Sequence, residues 1–120
     1  MKLKANELTG AALDWAVAKC IYEPDDVVVC EGRVFAYDDA TKGFNPATNW
    51  AQGGPIIAQE RIGLKYTGAA MEFVAWVNGE LSTVHDHYGP TPLIAAMRCY
   101  VASEMGEEVE VPDELQGEIA

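Results

Sequence analysis

Hydrophobic positions recur along this chain with a helical period in three places and with alternation in several others. Over residues 8–21, Leu13, Ala16, Val17, Cys20 and Ile21 share one helix face at 3.6 residues per turn, while Leu8, Trp15 and Tyr22 fall on the opposite side. A helix apolar on two sides is either sandwiched or meets a partner. Asn6 or Thr9 is placed to cap it. A second helix is expected over 91–105, with Thr91 at the N-cap, Pro92 in its first turn and Gly106 just beyond its end. Its large residues Leu93, Ile94, Met97, Tyr100, Val101 and Met105 form a core stripe, and small Ala95, Cys99 and Ala102 leave room for another backbone. A third, shorter helix is expected over 55–62. Pro55 suits its first turn, and Gly53-Gly54-Pro55 should interrupt the helical turn at 50–52 that Thr48 or Asn49 could cap.

Between these helices the pattern is that of strands. Residues 1–5 alternate Lys with apolar residues and suit an edge strand, and 27–30 and 33–37 flank a Glu31-Gly32 turn as a hairpin. Residues 64–67, 71–77 and 81–85 are further candidates, with Asn78-Gly79 as a strong hairpin signal. The fold expected is α+β: three helices on an antiparallel sheet of about four to five short strands, in one sandwich-like domain over 1–112. Seven acidic residues follow Arg98 with no further basic one, so residues 113–120 are expected to be an acidic tail that adds little stability.

Composition narrows the function more than the fold. Eight basic residues face nineteen acidic ones, a formal net charge of −11 over 120 residues. So few cations cannot neutralise a run of phosphates, so direct nucleic-acid binding is not expected. No run approaches the ~18 apolar residues of a membrane span. The N-terminal residues lack an apolar leader, and Cys20, Cys30 and Cys99 form no CxxC pair, so reduced, buried thiols in a host cytoplasm are expected.

Three segments together resemble the phage NinX-like family: ELTGAALDWAVA at 7–18, NWAQGGPII at 49–57 and GPTPLIAAMRCYVAS at 89–103. The resemblance runs from about residue 3 to residue 112. It implies a small phage or prophage protein of unknown function, akin to small phage α/β sandwich domains. It carries over no catalytic or ligand residue.

Candidate chemistry is sparse. His85 and His87 lie two apart and could face one ion on a strand, but a zinc site needs three or four ligands and no further His exists, so no metal is expected. Gly53-Gly54 ahead of a helix could offer N–H groups to an anion, although the spacing matches no phosphate loop; close backbone packing is the alternative. Trp15, Trp50 and Trp76 with Arg98 could form a stacking pocket, or could simply fill the core. Ser82 and Ser103 sit in no nucleophile elbow, no cofactor motif is present, and with so many acids no carboxylate pair is informative. The residues favour binding over catalysis. The expectation is a phage accessory protein that binds a host or phage protein. Alternatives are a Trp/Arg-lined pocket that sequesters a nucleotide-like molecule, and an acidic DNA mimic. A homodimer through the Leu8, Trp15 and Tyr22 face is also expected.

Overall fold

The computed structural model describes residues 1–36, 43–68, 71–77, 86–113 and 115. In chain order these form β1 (Lys2–Lys4), α1 (Gly10–Ile21), β2 (Val27–Cys30), β3 (Arg33–Ala36), α2 (Trp50–Glu60), β4 (Gly63–Tyr66), β5 (Phe73–Trp76), β6 (His87–Gly89), α3 (Pro92–Met105) and β7 (Glu108–Glu110), with short 3₁₀ turns at Ala5–Glu7 and Pro24–Asp26. The fold is α+β, with three helices as expected. Among the described residues the strands number seven, however, and form three small antiparallel sheets: β1-β7, β2-β3 and β4-β5-β6. The Asn78-Gly79 hairpin signal and the 81–85 strand lie outside the described residues.

α3 is the central element, because its end signals are local and strong. Thr91 accepts the Ile94 N–H at 3.1 Å through its hydroxyl, and Pro92 opens the helix where no N–H is needed. The chain leaves at Gly106, whose φ of 92° suits glycine. Leu93, Ala95, Ala96, Met97, Cys99, Tyr100 and Val101 are all buried, since β4-β5-β6 lies on one side and α1 on another. The small residues set the spacing. A Cβ at Gly89 of β6 would lie 2.7 Å from the Ala95 nitrogen, so strand and helix touch backbone to backbone. Met105, expected in the core stripe, is instead exposed in the last turn.

α1 begins later than expected. Leu8 precedes it in extended backbone and is fully buried, so it is not part of the helix face assigned to it. Ala12, Leu13, Asp14, Ala16, Val17 and Ala18 are buried because α3 covers one side and the β2-β3 hairpin another. Trp15 packs half-buried at the edge of the core, and Tyr22 meets Phe44 edge-on with ring centroids 5.6 Å apart. Of the second apolar face, Leu8 is thus covered by the same chain, while Trp15 and Tyr22 stay half-buried.

α2 corrects the expected break. It runs unbroken from Trp50, because Asn49 caps it by accepting the Ala51 N–H at 2.9 Å. Pro55 forgoes a single helical hydrogen bond. Gly53 is held by packing: a Cβ there would lie 2.5 Å from the Pro46 carbonyl oxygen and 2.6 Å from Leu93 Cδ2.

The C-terminal stretch is also more than a tail. β7 pairs with β1, Leu3 opposite Val109, and the Val111 N–H donates to the Met1 carbonyl at 2.9 Å. Val109, Val111 and Leu115 are at most 2% exposed and belong to the main core. Residues beyond 112 are expected to add little stability, yet Leu115 is fully buried. The acids of β7 alternate outward while its apolar residue turns in.

Candidate functional site

A carboxyl group lies buried beside a cleft. Asp14 sits in the middle of α1, 7% exposed, where the segment 43–49 crosses the helix. Its Oδ1 accepts the Ala47 N–H at 2.9 Å. Burial pushes its pKa from 3.8 up to about 7, against the opposing pull of that hydrogen bond. The cleft has a volume of about 110 Å³, and Asp14, Gly32, Arg33, Gly43, Phe44 and Asn45 contribute to its lining. The hairpin delivers Arg33 because Glu31 and Gly32 both adopt positive φ, 53° and 75°, and reverse the chain tightly. The Arg33 guanidinium lies over the Phe35 ring at 5.3 Å and so close to Gly43 that a Cβ there would be 3.0 Å from Nη2.

Gln52 of α2 clamps the crossing segment, accepting the Asn45 N–H at 2.6 Å and donating to the Gly43 carbonyl at 3.1 Å. The lining therefore offers a carboxyl poised near neutrality, a guanidinium, an amide and apolar walls. Among the described residues the lining has no Ser, Thr, Cys or His, and the group there that can exchange a proton is the Asp14 carboxyl. Acidic residues are too numerous in the sequence to mark Asp14 by type. Its signal was position, as the sole charge between residues 8 and 18.

The residues singled out from sequence are dispersed. Trp15 lies on α1 with the Lys19 ammonium 5.7 Å from its ring. Trp76 lies on β5, its ring pressed against Gly63 of β4, and its buried Nε1 has no hydrogen-bond partner among the described residues. Trp50, at the start of α2, is 55% exposed. Neither described cavity is lined by a tryptophan. Arg98 donates from Nε to the Leu8 carbonyl and from Nη1 to the Tyr88 carbonyl, both at 2.7 Å. Burial lowers its pKa, with Glu72 acting in the opposite direction. It ties these chain segments together.

Of the glycine pair, Gly53 turns into the core, while a Cβ at Gly54 would lie 3.9 Å from the Trp50 ring. His87 is 3% exposed with Nε2 at 3.1 Å from a Glu107 oxygen, and its Nδ1 has no partner among the described residues. His85 lies outside the described residues, and among them no cluster of three metal-ligating side chains occurs. The thiols also differ from expectation. All three are free, but only Cys99 is buried, Cys20 is half-buried and Cys30 is exposed on the outward side of β2.

The outer face of α2 was not anticipated. Trp50, Ala51, Pro55, Ala58 and Gln59 are exposed, and no charged side chain interrupts them. Charges make up 22% of the chain, so this uncharged stretch around a large aromatic stands apart. Among the described residues no helix is long and apolar enough to cross a membrane.

No curated protein gives a significant match. A family model described as "Bacteriophage P22, NinX" matches residues 4–104, which include α1, α2, the Asp14 cleft and nearly all of α3. A match over that much of the chain shows that this protein belongs to the bacteriophage P22 NinX family.

Proposed function

We propose that the chain is a phage accessory protein that works by binding another protein, of host or phage origin, through the outer face of α2. The observation that carries this is the exposed Trp50 at the head of an uncharged helix face. Exposed tryptophans beside small residues make strong interface anchors, because a large apolar area is buried at little cost in side-chain freedom. The rest of the surface favours solubility and steering: a net charge of −11 discourages self-association and draws cationic surfaces.

Trp50→Glu tests this without threatening the fold, because an acidic residue is favoured in the first turn of a helix. Wild-type and variant proteins would serve as bait in lysate from infected host cells, with quantitative mass spectrometry of what each retains. At least one protein held by the wild type should be lost with Trp50→Glu. Identical sets of captured proteins would overturn the reading.

A further inference from the structure

The α2 face runs into a groove of distinct chemistry. α1, α2 and α3 converge on a cavity of about 240 Å³ lined by Ile21, Ile56, Gln59, Glu60 and Tyr100. Gln59 lies one turn from Pro55 on the same helix, so groove and outer face are one surface. The volume is below the roughly 300–1,000 Å³ of small-molecule and cofactor pockets and suits one inserted side chain. Its walls are the apolar parts of Ile21, Ile56 and Tyr100, and Ile21 is 44% exposed at the end of α1.

The groove is also electronegative. Glu60 lines it, and Glu104 stands one turn beyond Tyr100 on α3. Both carboxylates act on the Tyr100 phenol, which burial foremost, and then neighbouring Cys20 and these acids, push up to about 12. Burial and Glu104 likewise push the Cys20 thiol up to about 12. Among the described residues, neither Glu60 nor Glu104 forms an ion pair.

We propose that this groove receives a lysine or arginine side chain from a basic segment of the protein that docks on α2. The inference rests on the docking reading above and adds the chemistry of the partner. A groove with apolar side chains on one part of its wall and, among the described residues, an unpaired carboxylate on another matches a long aliphatic stem that ends in a cation, since the stem packs while the charge meets Glu60. A neutral apolar side chain would leave the Glu60 charge uncompensated, and an acidic one would be repelled.

The test titrates the full chain with blocked Ala-Lys-Ala, Ala-Arg-Ala and Ala-Gln-Ala peptides at low salt, to millimolar concentration. Methyl signals of Ile21 and Ile56 are followed by NMR. The Lys and Arg peptides should shift both signals saturably and the Gln peptide should not. Glu60→Gln should weaken binding about fivefold, the upper end for a partly exposed ion pair. Glu108→Gln, on the distant β7, should leave it unchanged. The proposal is overturned if the shifts scatter over the acidic surface, if Glu60→Gln has no effect, or if no shift saturates. These outcomes separate from those at Trp50. Loss of a captured partner with Trp50→Glu but no response to the cationic peptides would leave α2 docking standing and remove the basic occupant. A saturable peptide response with capture unaffected by Trp50→Glu would do the reverse.

Discussion

Replacing Asp14 by Asn should make the protein more stable at neutral and alkaline pH, and the gain should itself depend on pH. Burial raises the Asp14 carboxyl from 3.8 to about 7, so the folded state holds this proton more tightly than the unfolded chain does. The contribution is fully present below about pH 4, declines as pH rises through 4 to 7, and is lost above. At about 1.36 kcal/mol per tenfold, the ionised group costs about 4 kcal/mol at alkaline pH. That is of the order of a third of the stability of an ordinary domain.

Asn retains an oxygen that can accept the Ala47 N–H and carries no titrating proton. The assay is urea unfolding followed by far-UV circular dichroism, with linear extrapolation, for wild type and Asp14→Asn at a series of pH values. The other carboxylates titrate in both proteins, so the difference between the two curves isolates Asp14. That difference should grow in favour of Asn by up to about 4 kcal/mol between pH 4 and pH 8. A flat difference, or one that favours wild type at high pH, would show that the Ala47 hydrogen bond outweighs burial. Asp14→Ala serves as the contrast, because it strands the Ala47 N–H at a cost of about 1–3 kcal/mol.

Leu115→Ala should cost about 2–5 kcal/mol, as for other fully buried leucines, and an unchanged urea midpoint would place Leu115 outside the core. Thiol labelling read by mass spectrometry should modify exposed Cys30 quickly and Cys20 and Cys99 slowly, because burial first, with nearby acids adding to it, pushes the latter two up to about 12. Equal rates at the three sites would contradict that order. Gly53→Ala should lower the melting temperature, since its Cβ would meet the Pro46 carbonyl oxygen at 2.5 Å. That clash, of about 1–3 kcal/mol, exceeds the ~1 kcal/mol that alanine gains in helix propensity. A raised melting temperature would show that the 43–49 segment yields easily.

Elements whose signals are local were legible in the sequence. Thr91, Pro92 and Gly106 bracket α3 within its own residues, and Glu31-Gly32 marks the β2-β3 turn in the same way. Elements decided by contacts far along the chain were not. Gly53, Gly54 and Pro55 read locally as a break, yet the helix persists because Gly53 fits beneath Pro46 and Leu93. β1 and β7 are three residues each, too short to show a period, and each is a strand because the other is there. Leu115 stood among acids that obscured a single apolar anchor. The candidate site divides in the same way. The Asn49-to-Ile57 segment that carries the α2 face was visible as a motif, but the exposure of Trp50 was not. Nothing in the sequence reveals that the Leu8 and Tyr88 carbonyls converge on Arg98.

The pairing of β1 with β7 also orders events during synthesis. Lys4 lies opposite Glu108, so the first strand emerges from the ribosome more than a hundred residues before its partner. At about 5–20 residues per second, Leu3 and Leu8 wait on the order of 5–20 seconds before the C-terminal segment arrives to cover them. α1 and the adjacent hairpin can associate in that interval, before α3 and β7 are made. A chain cut before residue 108 would therefore leave Leu3 without Val109 opposite it, while α3 and the hairpin still flank α1. The β1-β7 pairing thus cannot form until the chain has been made as far as residue 110.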